Sequence, residues 1–422
     1  MKLKNIPTII LLFAINELLL CQSYDQNYIT TRTMLNATGT SAIETVRYFD
    51  GLGRLVETVA KGITPDGQDL VSYQTYDACG RDDKAYLPRK AAQNSGNYME
   101  FSTFNALPKN IYQYDEKPYA QTVYEPSPLN RVVEQYGAGA DWYAHSKSIK
   151  TAYLSNNGSN SCAYYYVSGD NLVKNGNYAS NQLYVTQIAD EDGNTTLEFK
   201  DKQGKIVLTR RCSDWADTYY VYDDEDNLRF VLSPEAADQL TANTTFNAET
   251  NTALKTLAYI YRYDYRKRCV YKRLPGCDPI YYVYDKSDRL IFSQDGEQRL
   301  KALWQFFIPD IFGRTVLTGY CQKLNNTAPA VGLYDQQLIT ASAFSASGAY
   351  KGYNILIDGA AKTLTTYTLT TAYYFDNYNF MGTFDIPNTA EMQYETGYAI
   401  QHSSAQGLLT GSWVAQGNNS AG

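Results

Sequence analysis

The sequence predicts an all-β protein: one long, curled antiparallel sheet of stacked hairpins, interrupted by a small helical insertion. Three observations predict it. Aromatic residues are abundant, with 40 Tyr, 15 Phe and 4 Trp in 422 residues, and such side chains fit a pleated, half-buried surface. A short unit recurs along the chain: an aromatic residue, Asp, two variable residues, a Gly or substitute, then usually a basic residue. Its flanks alternate with period two, as where Tyr282 and Tyr284 share one face while Tyr281 and Val283 share the other.

The unit appears as YFDGLGRLVE from Tyr48, TYDACGRDD from Thr75, ADEDGNTTLEF from Ala189, KDKQGKIVL from Lys200 and VYDDEDNLRFVL from Val221. It returns as RYDYRKRCVY from Arg262, VYDKSDRLIF from Val283, PDIFGRTVL from Pro309 and YFDNYNFMG from Tyr374. Its aspartates are Asp50, Asp77, Asp190, Asp201, Asp223, Asp264, Asp285, Asp310 and Asp376. Three residues after them stand Gly53, Gly80, Gly193, Gly204 and Gly313, with Asp226, Lys267, Asp288 and Asn379 in the remaining units. In such a turn the carboxylate accepts a hydrogen bond from the backbone two residues on, and the fourth residue enters the left-handed region. Gly does so without steric cost, Asn and Asp next best, so Lys267 is the poorest fit. Each unit therefore reads as a hairpin, and stacking the hairpins into one sheet buries the apolar face that a lone hairpin leaves exposed.

In chain order, residues 1–23 read as a secretory signal: Lys2 and Lys4, an apolar run from Ile9 to Ile15, then Leu18 to Leu20. The run is too short to span a bilayer. Cleavage is expected after Ser23, in preference to lipoprotein processing at Cys21, because Leu20 stands where that processing wants a small residue. Residues 24–150 read as an N-terminal β domain, 151–184 as a loop-rich linker dense in Asn, Ser and Gly, and 185–422 as the main repeat region. Within the last, 233–257 predicts the helical insertion, with Ser233 as N-cap and Pro234 in the first turn. The Ala- and Thr-rich text from 321 to 370 reads as a longer loop or a divergent hairpin.

Composition narrows the function. A net charge of -7 argues against a protein that neutralises nucleic-acid phosphates. Only two histidines, His145 and His402, are present, so the commonest general base and metal ligand is nearly missing. No GxSxG, SxxK, P-loop or HExxH occurs. The cysteines after residue 23 (Cys79, Cys162, Cys212, Cys269, Cys277 and Cys321) form no CxxC pair and read as free, buried thiols. Asp190, Asp192 and Asn194 stand at calcium-loop spacing, yet Thr195 falls where that loop needs Gly and Asp201 replaces its closing Glu. In YRYDYRKRCVYKR, 261–273, the tyrosines fall on odd positions and most cations on even ones, which predicts an aromatic face and a basic face rather than a polyanion site. The repeated aspartates are read as turn residues, not catalytic carboxylates, and no catalytic, cofactor or metal site is expected.

These units resemble the YD repeats of bacterial rearrangement-hotspot (Rhs) proteins, centred on YDxxGRL, over roughly residues 185–422. Upstream, NYITTRTML from Asn27, YFDGLGRLVETV, YQTYDACGRDDKAYLP from Tyr73 and YEPSPLNRVVEQYGAG from Tyr124 are similar to the uncharacterised N-terminal domain that precedes the repeats in secreted members. The resemblance implies a spiral β shell, in well-studied relatives a cage around a C-terminal polymorphic toxin. After GLLTG at 407–411 the sequence shows neither the family's core nor a toxin cassette. The expected function is a non-enzymatic, exported scaffold at the cell envelope or outside it. Its partner would be a toxin or the remaining Rhs core, in cis or from an adjacent gene. The alternative is a cell-surface glycan-binding or adhesion protein that stacks sugars on exposed tyrosines.

Overall fold

A computed structural model describes residues 25–384, apart from 37, 94, 242 and 243, and residues 405–415. The expected signal segment and His402 lie outside the described residues. Among the described residues, twenty-one strands belong to one antiparallel sheet, two three-stranded sheets accompany it, and five short α-helices interrupt an all-β fold. The described residues divide into two compact units, one within 25–154 and 185–197 and the other within 155–184 and 198–415. That division differs from the linker expected at 151–184.

The first unit opens with β1 (Asn27–Met34), β2 (Ala42–Phe49), β3 (Leu55–Lys61), β4 (Asp69–Tyr76) and β5 (Asp82–Ala91). Helix α1 (Phe101–Ala106) follows, then β6 (Tyr119–Tyr124), β7 (Val132–Tyr136), α2 (Ala140–Ala144) and β8 (Ser148–Ser155). Each strand pairs with the one before it. Alternation decides which side chains enter the core: Val46 and Tyr48, Val59, then Val71 and Tyr73 fall on one face and pack with Ala91 and Phe104. The chain then forms β9 (Ala163–Ser168) and β10 (Asn171–Asn177), which belong to the second unit, and returns with β11 (Tyr184–Ala189) beside β8.

After β12 (Thr195–Lys200), the second unit continues through β13 (Ile206–Arg211), β14 (Ala216–Tyr222), β15 (Leu228–Leu232), α3 (Pro234–Gln239), β16 (Thr244–Asn247) and α4 (Thr252–Leu257). Next come β17 (Ala258–Tyr263), β18 (Cys269–Arg273), β19 (Ile280–Tyr284), β20 (Leu290–Gln294), α5 (Gly296–Leu300), β21 (Trp304–Pro309) and β22 (Thr315–Leu324). The short strands β23 (Ile339–Ala341), β24 (Ile355–Ile357) and β25 (Ala360–Lys362) precede β26 (Leu364–Asp376) and β27 (Ala405–Val414). From β13 to β22 the large sheet again pairs in sequence order, stepping over β16, and closes with β22–β26 and β26–β27. Val283, Phe292, Phe306, Ile308 and Leu317 lead its core, onto which Ile339 and Ile355 of the small β23–β24–β25 sheet pack.

Two expectations gain detail. The Asn- and Ser-rich text at 155–184 holds β9 and β10, joined to β16 of the insertion in a sheet of their own. The insertion holds two helices, each capped by its side chain: Ser233 Oγ accepts from Ala236 N at 3.2 Å and Asn251 Oδ1 from Leu254 N at 2.9 Å. The aromatic and basic faces expected at 261–273 are not separate. Pairing sets Ile260 opposite Arg273 and Arg262 opposite Tyr271, then slips to join Tyr263 with Cys269, leaving Val270 as a bulge. That extra residue inverts the parity of β18 against β17. Arg262 accordingly lies over the Tyr271 ring, 4.4 Å from its centre.

Candidate functional site

The repeated turns are the chain's most regular chemical feature. At Asp50 the backbone N–H of Gly53 donates to the Asp50 carbonyl at 3.0 Å and that of Asp50 to the Arg54 carbonyl at 2.9 Å. The carboxylate closes the turn from inside: Oδ1 accepts from Leu52 N and Arg54 N, both at 2.9 Å. The same two backbone bonds reach Oδ1 of Asp77, Asp190, Asp201, Asp223, Asp264, Asp285 and Asp310. Three residues on, Gly53, Gly80, Gly193, Gly204, Asp226, Lys267, Asp288 and Gly313 all have positive φ, from 60° to 88°. Backbone and side-chain donors stabilise the ionised carboxylate, so Asp50, Asp77 and Asp190 are held below the ordinary Asp range, led by the N–H groups of Arg54 and Arg81 and the Asn194 side chain respectively.

The basic residue after the Gly position has a role the spacing alone does not disclose. Arg54 Nε donates to Asp50 Oδ2 at 2.7 Å, and its Nη1 reaches the carbonyl of Gly80 in the next turn at 3.1 Å. Arg268 likewise binds Asp264 Oδ2 and reaches the Asp285 carbonyl, and Arg289 binds Asp285 Oδ2 and reaches the Asp310 carbonyl. Where the next Asp follows an aromatic residue, as Asp77, Asp285 and Asp376 do, that ring completes the joint. The Arg54 guanidinium lies 4.3 Å from the centre of the Tyr76 ring, Arg268 lies 5.0 Å from Tyr284, and Arg314 lies 4.4 Å from Phe375. Tyr76 OH donates back to the Leu55 carbonyl at 2.7 Å, and Tyr284 OH to the Cys269 carbonyl at 3.0 Å. Asp thus closes the turn, Gly permits it, Arg locks it and reaches forward, and Tyr reaches back.

The turns occupy consistent sides. Asp50 and Asp77 sit along one edge of the first unit's sheet, while Asp190, where β11 meets β12, sits along the other. Asp201, Asp223, Asp264, Asp285 and Asp310 share one edge of the second unit, because each follows a strand running in the same direction.

Asp376 departs from this scheme. It has positive φ itself, 72°, and Asn379, which follows at the Gly offset, donates to Asn377 Oδ1. The chain does not turn back there. Instead Asp376 receives both Nη atoms of Arg314, at 2.9 and 2.7 Å, and the Gly407 N–H at 2.7 Å, serving as acceptor for the preceding turn. Arg314 holds its carboxyl down at about 2. Glu125, not singled out in the sequence, replaces Asp in a longer turn: Arg131 grips it with two bonds at 2.8 and 2.7 Å, and its carboxyl is likewise held at about 2. Arg131 then lies over Tyr153, whose hydroxyl returns to the Val132 carbonyl. The YEP in place of YD was the available signal.

Other candidates are chemically satisfied. A cavity of about 350 Å³ lies beside Asp310, Arg314, Phe344, Tyr353 and Asp376, but its charges bind one another. Asp190 uses both carboxylate oxygens within its own turn, and Asp192 accepts from Lys147 Nζ at 3.0 Å. His145 caps α2 with Nδ1 3.0 Å from the Asp141 carbonyl. Arg262, Tyr271 and Arg273 converge on Glu249 at 2.6–3.0 Å, which anchors the insertion to the sheet. Among the described residues no group of His, Cys, Asp and Glu could hold a metal, and no helix is long and apolar enough to cross a membrane; the six cysteines are free, but only Cys162 and Cys321 are buried as expected, while Cys79 and Cys277 are exposed.

Residues 22–155 match the family described as Domain of unknown function (DUF6443). Curated proteins yield no match. Among solved structures, the chain is similar to one titled "Crystal Structure of TcdB2-TccC3-TEV", at 13% identity and a TM-score of 0.49, over 86% of this chain and 15% of that one. A Photorhabdus luminescens Tc holotoxin pore gives 13% identity and a TM-score of 0.47 over 83% of this chain and 14% of that one. The chain therefore spans about a seventh of the length of these structures.

Proposed function

We propose that this chain is a non-enzymatic scaffold segment of the Rhs, YD-repeat kind, exported from the cell and contributing wall to a shell around a toxic effector. The observation that carries the reading is the joint between turns. Its Asp, Arg and Tyr side chains bind one another and the neighbouring hairpin, a chemistry of cohesion that leaves the repeated carboxylates no free role in proton transfer. Long antiparallel pairing supports the same reading, since a wall of satisfied backbone groups would separate a cargo from its surroundings. Export rests on the basic, apolar and small-residue order of residues 1–23. The partner would be an effector, or further shell, in the same chain or encoded nearby.

The test is expression in a bacterial cytoplasm of residues 24–422 alone, of the adjoining reading frame alone, and of the two joined. Growth is expected to continue with the first, to stop with the second, and to recover on joining. Growth arrest, nuclease or hydrolase activity from residues 24–422 alone would overturn the scaffold reading. Retention of that segment on a glycan array would favour an adhesive role instead.

A further inference from the structure

In the first unit the buried face of the sheet carries three charged side chains among its apolar ones: Glu57 on β3, Asp69 on β4 and Arg89 on β5, each 1% exposed or less. All three bind the same stretch of chain. Glu57 Oε2 accepts from Met99 N at 3.0 Å, Asp69 Oδ2 from Gly96 N at 2.8 Å, and Arg89 Nη1 donates to the carbonyls of Phe104 and Asn105 at 3.2 and 3.0 Å. Two buried tyrosines do the same, Tyr48 OH to the Gly96 carbonyl at 2.6 Å and Tyr73 OH to Tyr98 OH at 2.9 Å. Met99, Phe101 and Phe104 of that stretch pack onto the same core. Polar groups inside a sheet face are costly unless bonded, so these five exist to hold residues 95–105 down.

Two of the five groups are incompletely bonded: Arg89 Nε and Nη2 are buried without a partner, and so is one oxygen of Glu57. Glu57 Oε1 is buried with no hydrogen-bond partner, whereas an ionised carboxylate calls for donors on both oxygens. Tyr48 on β2 and Tyr73 on β4 stand beside Glu57 in register. The covering stretch adds the Met99 N–H, Tyr98 and the negative Glu100, while Asp69 and Arg89 lie on the same face. We propose that residues 95–105 form a strap that Glu57 latches while protonated and releases on ionisation, making this cover of the first unit's core a pH-sensitive closure.

Burial, with a further push from Glu100 against the pull of the Met99 N–H, raises the Glu57 carboxyl to about 8. A raised acid contributes stability in full below its unfolded value, near 4.5, and loses it progressively as pH rises through about 8. Opening of the strap should therefore increase by up to about tenfold per pH unit across that window and level off above it.

Hydrogen exchange on the full chain, corrected for the intrinsic pH dependence of exchange, tests this at the Gly96 and Met99 amides. Protection is expected to fall by two or more orders of magnitude between about pH 5 and pH 8, and Glu57→Gln is expected to abolish the dependence while keeping the strap protected. Equal pH dependence in both proteins would overturn the proposal. If Glu57→Gln does not fold, the wild-type chain decides: a Glu57 ¹³C-carboxyl midpoint near 8, with loss of protection confined to the strap, supports the latch. A midpoint near 4.5, or equal loss at Val283 and Phe306, overturns it.

Discussion

A glycine in these turns answers to two demands that can be separated. Gly53 and Gly80 have nearly the same φ, 77° and 79°, but a Cβ on Gly53 would meet nothing within 4 Å while one on Gly80 would lie 2.6 Å from Arg54 Nη1. Gly53→Ala should cost about 1–2 kcal/mol from the left-handed backbone alone, and Gly80→Ala more, because it also displaces the Arg54 lock. Denaturant midpoints rank the two, and equal midpoints would remove the lock from the account. Lys267→Gly relieves the same strain at φ 61° but forfeits the 2.7 Å bond from Lys267 Nζ to the Glu225 carbonyl, so little net change is expected there. The cysteines give a second check. Cys79 and Cys277 are exposed, whereas Cys162 and Cys321 are buried with thiols pushed up to about 12. A maleimide should label the first two in the native protein and the last two only after denaturation, as peptide mapping would show.

The hairpin is the element that sequence describes well, because a turn is specified by residues within five positions of one another. Asp at one position and a residue tolerant of positive φ three later suffice to place Asp50, Asp77, Asp190, Asp201, Asp223, Asp264, Asp285 and Asp310. The bulge that follows is less legible, since Val270 looks like any strand residue, and with it went the true facing of Arg262 and Tyr271. Least legible were Glu57, Asp69 and Arg89, whose partners lie 42, 27 and 15 residues away in the chain. Asp376 shared the local text but answers to Arg314, 62 residues away. Locks at different depths should also differ in worth. The Arg268 side chain is 8% exposed and serves Asp264, Asp288 and Asp335, while Arg54 is 32% exposed and pairs with Asp50. Arg268→Ala should cost more, about 1–3 kcal/mol, because it strands the half-buried carboxylates of Asp264 and Asp335, and Arg54→Ala about 1 kcal/mol or less. Urea midpoints of the two variants measure the difference, and equal losses would mean that depth does not set the strength of a lock.

For the molecule as a whole, two populations of carboxylates pull in opposite directions with pH. Glu125 and Asp376, held at about 2 by arginine, contribute stability above their unfolded values near 4 and lose it as pH falls through about 2. Glu57 loses its contribution as pH rises through about 8. Stability against urea should therefore peak near pH 5 and decline on both sides, and Glu57→Gln should flatten the alkaline limb alone. A midpoint that rises from pH 5 to pH 8 would contradict this. The order of strand pairing has a consequence of another kind, in time rather than in energy. Within each unit nearly every strand of the large sheet hydrogen-bonds to the strand that precedes it. A chain emerging amino end first, from a ribosome or a secretion pore, can then complete each hairpin and dock it on the last without waiting for distant sequence. At any moment the newest strand is the edge that receives the next one, and an Arg reaching forward with a Tyr reaching back lets growth proceed by accretion rather than by collapse.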